Sequence, residues 1–122
     1  MNSIKEIKEK IKKIGYTPRF IIIQVGDEDE QNKLIKPKIE MAKKLGIELV
    51  NKKYEINFVE EKIIEDIKDL SPWVDGIEVQ LPLPGQYNQD KIVEAIPKNK
   101  RVIDLKNNEL LTIFTKLLKN IK

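Results

Sequence analysis

At 122 residues the chain has room for one hydrophobic core and not for two. It contains no cysteine and no histidine, which excludes disulfides, thiol nucleophiles, Cys/His zinc sites and serine-histidine triads, and leaves the chemistry of lysine, tyrosine, carboxylates and amides. Charged residues make up 35% of the sequence, yet the net charge is only +3 and lysines and glutamates are interleaved, as on solvated helix faces; this argues against a nucleic-acid partner. No apolar run reaches the roughly 18 residues of a membrane span. The N-terminus has no signal-peptide core, so the expected location is cytoplasmic.

Taken in order, Ile4, Ile7, Ile11 and Ile14 recur at helical spacing, with Ser3 as the cap and Gly15 as the stop. Phe20 to Val25 is apolar almost throughout and reads as a strand covered on both faces. Gly26-Asp27 ends it, and the acidic run Asp27 to Glu30 suits the positive end of a helix reaching Leu45-Gly46. Pro37 predicts a kink there, or a regular helix that starts near the proline. Ile47 to Ile56 reads as a strand nearer an edge. Val59, Ile63, Ile64, Ile67 and Leu70 mark the next amphipathic helix.

Val74 to Pro84, VDGIEVQLPLP, reads as a buried strand closed by two prolines at its carboxyl end, where open α/β sheets keep their ligands. Residues Gln80 to Pro84 are expected to form a stiff, extended lip, with the Gln80 amide where a pocket would need it. A short helix over Ile92, Val93 and Ile96 then stops at Pro97, and Val102 to Leu105 is a brief extended piece. A last apolar stripe runs from Leu110 to Ile121. The alternation predicts a three-layer α-β-α domain with a mostly parallel sheet, three-stranded, the third strand central or next to the first.

The stretch DGIxVQLPLP, together with IIIQVGDE and the helix from Gln31 to Gly46, resembles the methylenetetrahydrofolate dehydrogenase/cyclohydrolase (FolD) family over about Pro18 to Asp104. The resemblance implies the fold of that family's N-terminal catalytic domain. It also implies a tetrahydrofolate derivative as ligand, with Lys38 at the catalytic lysine and Gln80 at the glutamine that hydrogen-bonds it. Val79, Leu81 and Pro82 match residues that line the folate's rings. The family's tyrosine falls on Leu34, which can pack against a ring but cannot hydrogen-bond. The family aspartate that binds the pterin edge falls on Ile103, with Asp104 as the substitute one position later. Tyr87 is a second source of a replacement hydroxyl.

No glycine-rich G-x-G-x-x-G stretch occurs, so the expectation is a single domain over residues 1-122, without the NADP-binding Rossmann unit and without bound NADP. Dehydrogenase activity is then not expected, because a hydride needs an acceptor. Hydrolysis of 5,10-methenyltetrahydrofolate to 10-formyltetrahydrofolate needs no nicotinamide and is the enzymatic expectation. The alternative is a non-catalytic folate-binding module, or a protein-interaction module whose C-terminal helix docks on a second copy or a partner protein.

Overall fold

The computed structural model describes residues 4–102. Helices and strands alternate as α1 (Ile4–Ile14), β1 (Arg19–Val25), α2 (Asp29–Leu45), β2 (Glu48–Tyr54), α3 (Glu60–Leu70), β3 (Gly76–Val79), α4 (Gln89–Glu94) and β4 (Arg101–Val102). The four strands form one parallel sheet in the order β2-β1-β3-β4. The expected parallel trio is there, with β3 beside β1 and β2 at an edge. A fourth strand, β4, was not in that expectation: the extended piece beginning at Val102 pairs with β3 through Glu78 and Val102. The predicted last helix, with the docking surface it would carry, lies outside the described residues, as do Ser3, Ile103 and Asp104.

Burial follows from the strand period of two. Ile21, Ile23, Val25, Ile77 and Val79 share a core cluster with Ile63 and Ile67 of α3 and Ile92 of α4. On the other face Phe20 and Val102 pack with Ile7 and Ile11 of α1 and Ala42 and Leu45 of α2. This gives the three layers. No described helix is long and apolar enough to cross a membrane.

Helix α2 runs through Pro37 from Asp29 to Leu45, so a regular helix starting only near the proline is not what forms. Pro37 forfeits one backbone donor, but the helix is held at both ends of its buried stripe of Gln31, Ile35, Lys38, Ala42 and Leu45. Near its start, Asn32 accepts from the Gln24 amide at 2.9 Å and donates to Asp27 at 2.8 Å. At its end Gly46 takes φ +83°, the left-handed conformation that closes a helix on glycine.

Residues 80–84 also depart from expectation. They do not form an extended lip: the chain bends at residues 81 and 82, and the Leu81–Pro82 peptide is cis. The bend is fixed from below by the Gln80 N–H, which donates to Ile23 O at 2.8 Å and so prolongs the β1–β3 ladder by one residue.

Tyr54 ends β2 with its ring against Phe58, centroids 4.9 Å apart, and its hydroxyl donating to Asp66 of α3 at 2.8 Å. Burial, and then the Asp66 carboxylate, raise the phenol well above its ordinary value of 10.0. A phenol whose folded-state pKa is raised stabilises the fold fully below its unfolded pKa and loses that contribution as pH climbs above it. Tyr54→Phe is therefore expected to cost about 1 kcal/mol at pH 8. The gap between the two proteins should shrink in urea titrations above pH 10; a gap that stays constant to pH 11.5 would refute the assignment.

Candidate functional site

The order β2-β1-β3-β4 places the reversal of strand order between β1 and β3, since the chain leaves β1 to one side to make β2 and returns on the other to make β3. At such a reversal the loops beyond the carboxyl ends of the two strands part and leave a crevice. A groove of about 210 Å³ lies there, lined by Val25 from the end of β1, Gln31 and Leu34 from α2, and Leu81 to Pro84 beyond β3. Its width is set by one contact: the Gln31 amide nitrogen donates to Pro82 O at 2.8 Å, tying α2 to the bend. Only the nitrogen can face a carbonyl, so this bond also fixes which way the amide is turned. Glu28 and Glu30 complete the rim.

Between α2 and β3, one helical turn after the groove residue Leu34, the Lys38 side chain is 1% exposed. It donates to both carboxylate oxygens of Glu78, at 3.0 and 3.0 Å, and to Gln80 Oε1 at 2.9 Å. An ammonium has three protons and all three are used. A charge so far from water is tolerable only when a countercharge and further polar partners meet it, and here both do. The strand period explains the meeting: Glu78 and Gln80 are two residues apart on β3 and its extension, so both point to the α2 face, while Ile77 and Val79 point to the α3–α4 face. Gln80 must turn its oxygen toward the ammonium, which leaves its amide nitrogen directed away, 3.4 Å from Leu81 O.

Of the residues singled out in the sequence, Lys38 and Gln80 are in direct contact, and Leu34, Leu81 and Pro82 line the groove beside them. Leu34 is 45% exposed and presents an apolar wall where a hydroxyl would have stood. Val79 was expected to line the ring site, but its side chain is 3% exposed and belongs to the core cluster on the opposite face of the sheet. Asp104 and Ile103 lie outside the described residues. Tyr87 supplies no hydroxyl to Lys38, because its oxygen bridges the carbonyls of Ile56 and Phe58 at 2.8 and 2.7 Å. Burial, and then Glu60, push that phenol up.

Glu78 is the residue that the sequence reading missed, having been treated as the variable position of DGIxVQLPLP. Two signals pointed to it. A glutamate interrupts the most continuously buried strand, and Lys38 falls on the apolar stripe of α2 at Gln31, Ile35, Ala42 and Leu45 spacing. Two opposite charges at buried positions of facing elements call for each other.

Glu28 separates the groove from a wider depression of about 530 Å³, also flanked by Asp27 and Lys53. Those two close on each other at 2.8 Å, and the hydrogen bond from Lys53, helped by Asn32, holds the exposed Asp27 carboxyl below its ordinary value. Among the described residues, no group of three or more His, Cys, Asp or Glu is arranged to hold a metal ion.

Residues 2–102 match the family model for the catalytic domain of tetrahydrofolate dehydrogenase/cyclohydrolase. The bifunctional protein FolD of Thermoplasma volcanium is 36% identical over 100 residues, covering 80% of this chain and 35% of that protein. Among solved structures, a 5,10-methylenetetrahydrofolate dehydrogenase from the silkworm Bombyx mori superposes with a TM-score of 0.75 at 30% identity, over 91% of this chain and 39% of the other. The bifunctional FolD enzyme of Campylobacter jejuni gives 0.76 at 29% identity, over 80% and 36%. The chain thus spans well under two thirds of each of these proteins.

Removing one member of the buried pair leaves the other uncompensated. Lys38→Met and Glu78→Leu are each expected to lower unfolding free energy by about 3 kcal/mol, and the double substitution by clearly less than either alone. Denaturant melts of the four proteins check this; additive single effects would show that the two side chains do not depend on each other.

Proposed function

Because the chain belongs to the tetrahydrofolate dehydrogenase/cyclohydrolase family, we propose that it binds a tetrahydrofolate derivative in the groove between α2 and the bend after β3 and hydrolyses 5,10-methenyltetrahydrofolate to 10-formyltetrahydrofolate. The observation that carries this reading is the 2.9 Å contact between Lys38 and Gln80, one helical turn from the groove residue Leu34 and next in sequence to the groove residue Leu81. Leu34, Leu81 and Pro82 offer apolar contact to the fused rings. The groove is smaller than the roughly 300–1,000 Å³ of a site that encloses a drug-sized ligand, so the remainder of the folate extends over the surface.

In this reaction water adds to the amidinium carbon, one C–N bond opens, and one proton is released. The Gln80 amide nitrogen, turned away from Lys38, has one N–H beyond its 3.4 Å contact to Leu81 O and is proposed as the donor to the incoming water. The proton goes to the Lys38–Glu78 pair: Lys38 passes one of its protons to the Glu78 carboxylate and takes the one from water, so the pair ends with one proton more than it began. No electrons change hands and no nicotinamide takes part. Asp104 is proposed to complete the ring contacts.

A second reading, binding without turnover, is favoured by one observation: every ammonium proton of Lys38 is committed to Glu78 or Gln80, and Leu34 brings no hydroxyl. Titration with tetrahydrofolate and 5,10-methenyltetrahydrofolate, scored separately for binding and for hydrolysis, distinguishes the two. In the charge-neutral double variant Lys38→Met, Glu78→Leu, hydrolysis is expected to fall to the uncatalysed rate while tetrahydrofolate affinity stays within roughly tenfold. Retained hydrolysis would remove Lys38 and Glu78 from the chemistry. No hydrolysis by the unmutated protein, with binding intact, would leave the second reading.

A further inference from the structure

The 5,10-methenyl folate carries a positive charge delocalised over the N–C–N amidinium of the ring that its methenyl bridge closes, while tetrahydrofolate shares the pterin, the aminobenzoate and the tail and lacks that bridge and its charge. A lysine one helical turn from the groove would by itself repel the cation. Lys38 follows Leu34, a groove residue, by four positions on the same helix, which puts its backbone only about 6 Å further along the axis. At that separation, through partly buried surroundings, an uncompensated ammonium opposes a second cation strongly.

Both oxygens of Glu78 close on the ammonium at 3.0 Å, and the side chains are 1% and 5% exposed. A pair so close acts at a distance as a dipole, and its net charge is zero. The rim adds Glu28 and Glu30, exposed and so partly screened, and among the described residues no lysine or arginine lines the groove. Resting on the folate reading above, we infer that Glu78 is a specificity-determining residue: by cancelling the Lys38 charge it lets the groove accept the cationic amidinium folate, which an uncompensated ammonium would disfavour relative to tetrahydrofolate. It acts through the field and needs no contact with the ligand.

The test is the ratio of two affinities, for 5,10-methenyltetrahydrofolate and for tetrahydrofolate, each measured by rapid-mixing fluorescence within the binding phase that precedes turnover, at one pH and low salt. Since the two ligands share their tail, contacts to the tail cancel in the ratio. Glu78→Gln, which keeps shape and removes charge, is expected to lower the ratio roughly tenfold. A merely structural role would weaken both ligands together, and an unchanged ratio overturns the inference. Should Glu78→Gln fail to fold, Lys38→Met gives the converse reading: a rise in the ratio supports the inference and no change overturns it. If the unmutated protein binds neither ligand, the folate reading falls and this inference falls with it. Binding of both ligands with a ratio that neither Glu78→Gln nor Lys38→Met changes overturns the inference and leaves the folate reading standing.

Discussion

A lysine ammonium held away from water is the constraint on which the site depends. Lys38 lies on the inward stripe of α2, and without a partner its burial would cost more free energy than a domain of this size has in reserve. Its partners come from one neighbouring strand, two residues apart, so the ion pair exists only if β3 is in register with β1 and α2 lies over it in one azimuth. A slip of β3 by one residue would turn Glu78 and Gln80 into the α3–α4 core and bring Ile77 and Val79 against the ammonium. The polar cluster therefore specifies the packing of helix on sheet.

Around that cluster the chain supplies what a small ligand site needs. Reversal of strand order opens the crevice, the Gln31–Pro82 bond sets its width, and the Gln80 backbone bond to Ile23 anchors the amide at its base. These contacts join elements distant in sequence, so the groove is as rigid as the sheet edge beneath it. The rim is different in kind: Glu28 and Glu30 are exposed, and their influence on a ligand falls with ionic strength.

Much of this was legible in the residues. The apolar runs at Phe20 to Val25 and within Val74 to Gln80 declared the two adjacent inner strands, because only strands covered on both faces lack polar alternation. Lys38 and Gln80 were legible through their spacing within a known pattern. The bend at residues 81 and 82 was not, since two prolines two apart fit an extended segment as well as a turned one. Nor was the fate of Val79, whose neighbour Gln80 faces the site: adjacent strand residues point to opposite faces, and naming both as lining residues conflicted with that rule. Glu78 was missed for a related reason. Its importance comes from a cross-element pairing with a residue 40 positions away, so the two local signals, a glutamate in a buried strand and a lysine on an apolar stripe, had to be read together. The stretch from Leu34 through Pro37 shows the opposite case, in which a local breaker was outweighed by tertiary contacts on either side.

The central claim is that the Lys38 ammonium is buried, charged and bound to Glu78. Nitrogen-15 spectra of the lysine side chains read this directly, because an ammonium shielded from water and hydrogen-bonded exchanges its protons far more slowly than those on exposed lysines. One slowly exchanging ammonium resonance is expected, which disappears in Lys38→Met and correlates through its hydrogen bonds with a glutamate carboxyl carbon. Uniformly fast exchange at every lysine in the folded protein would contradict it.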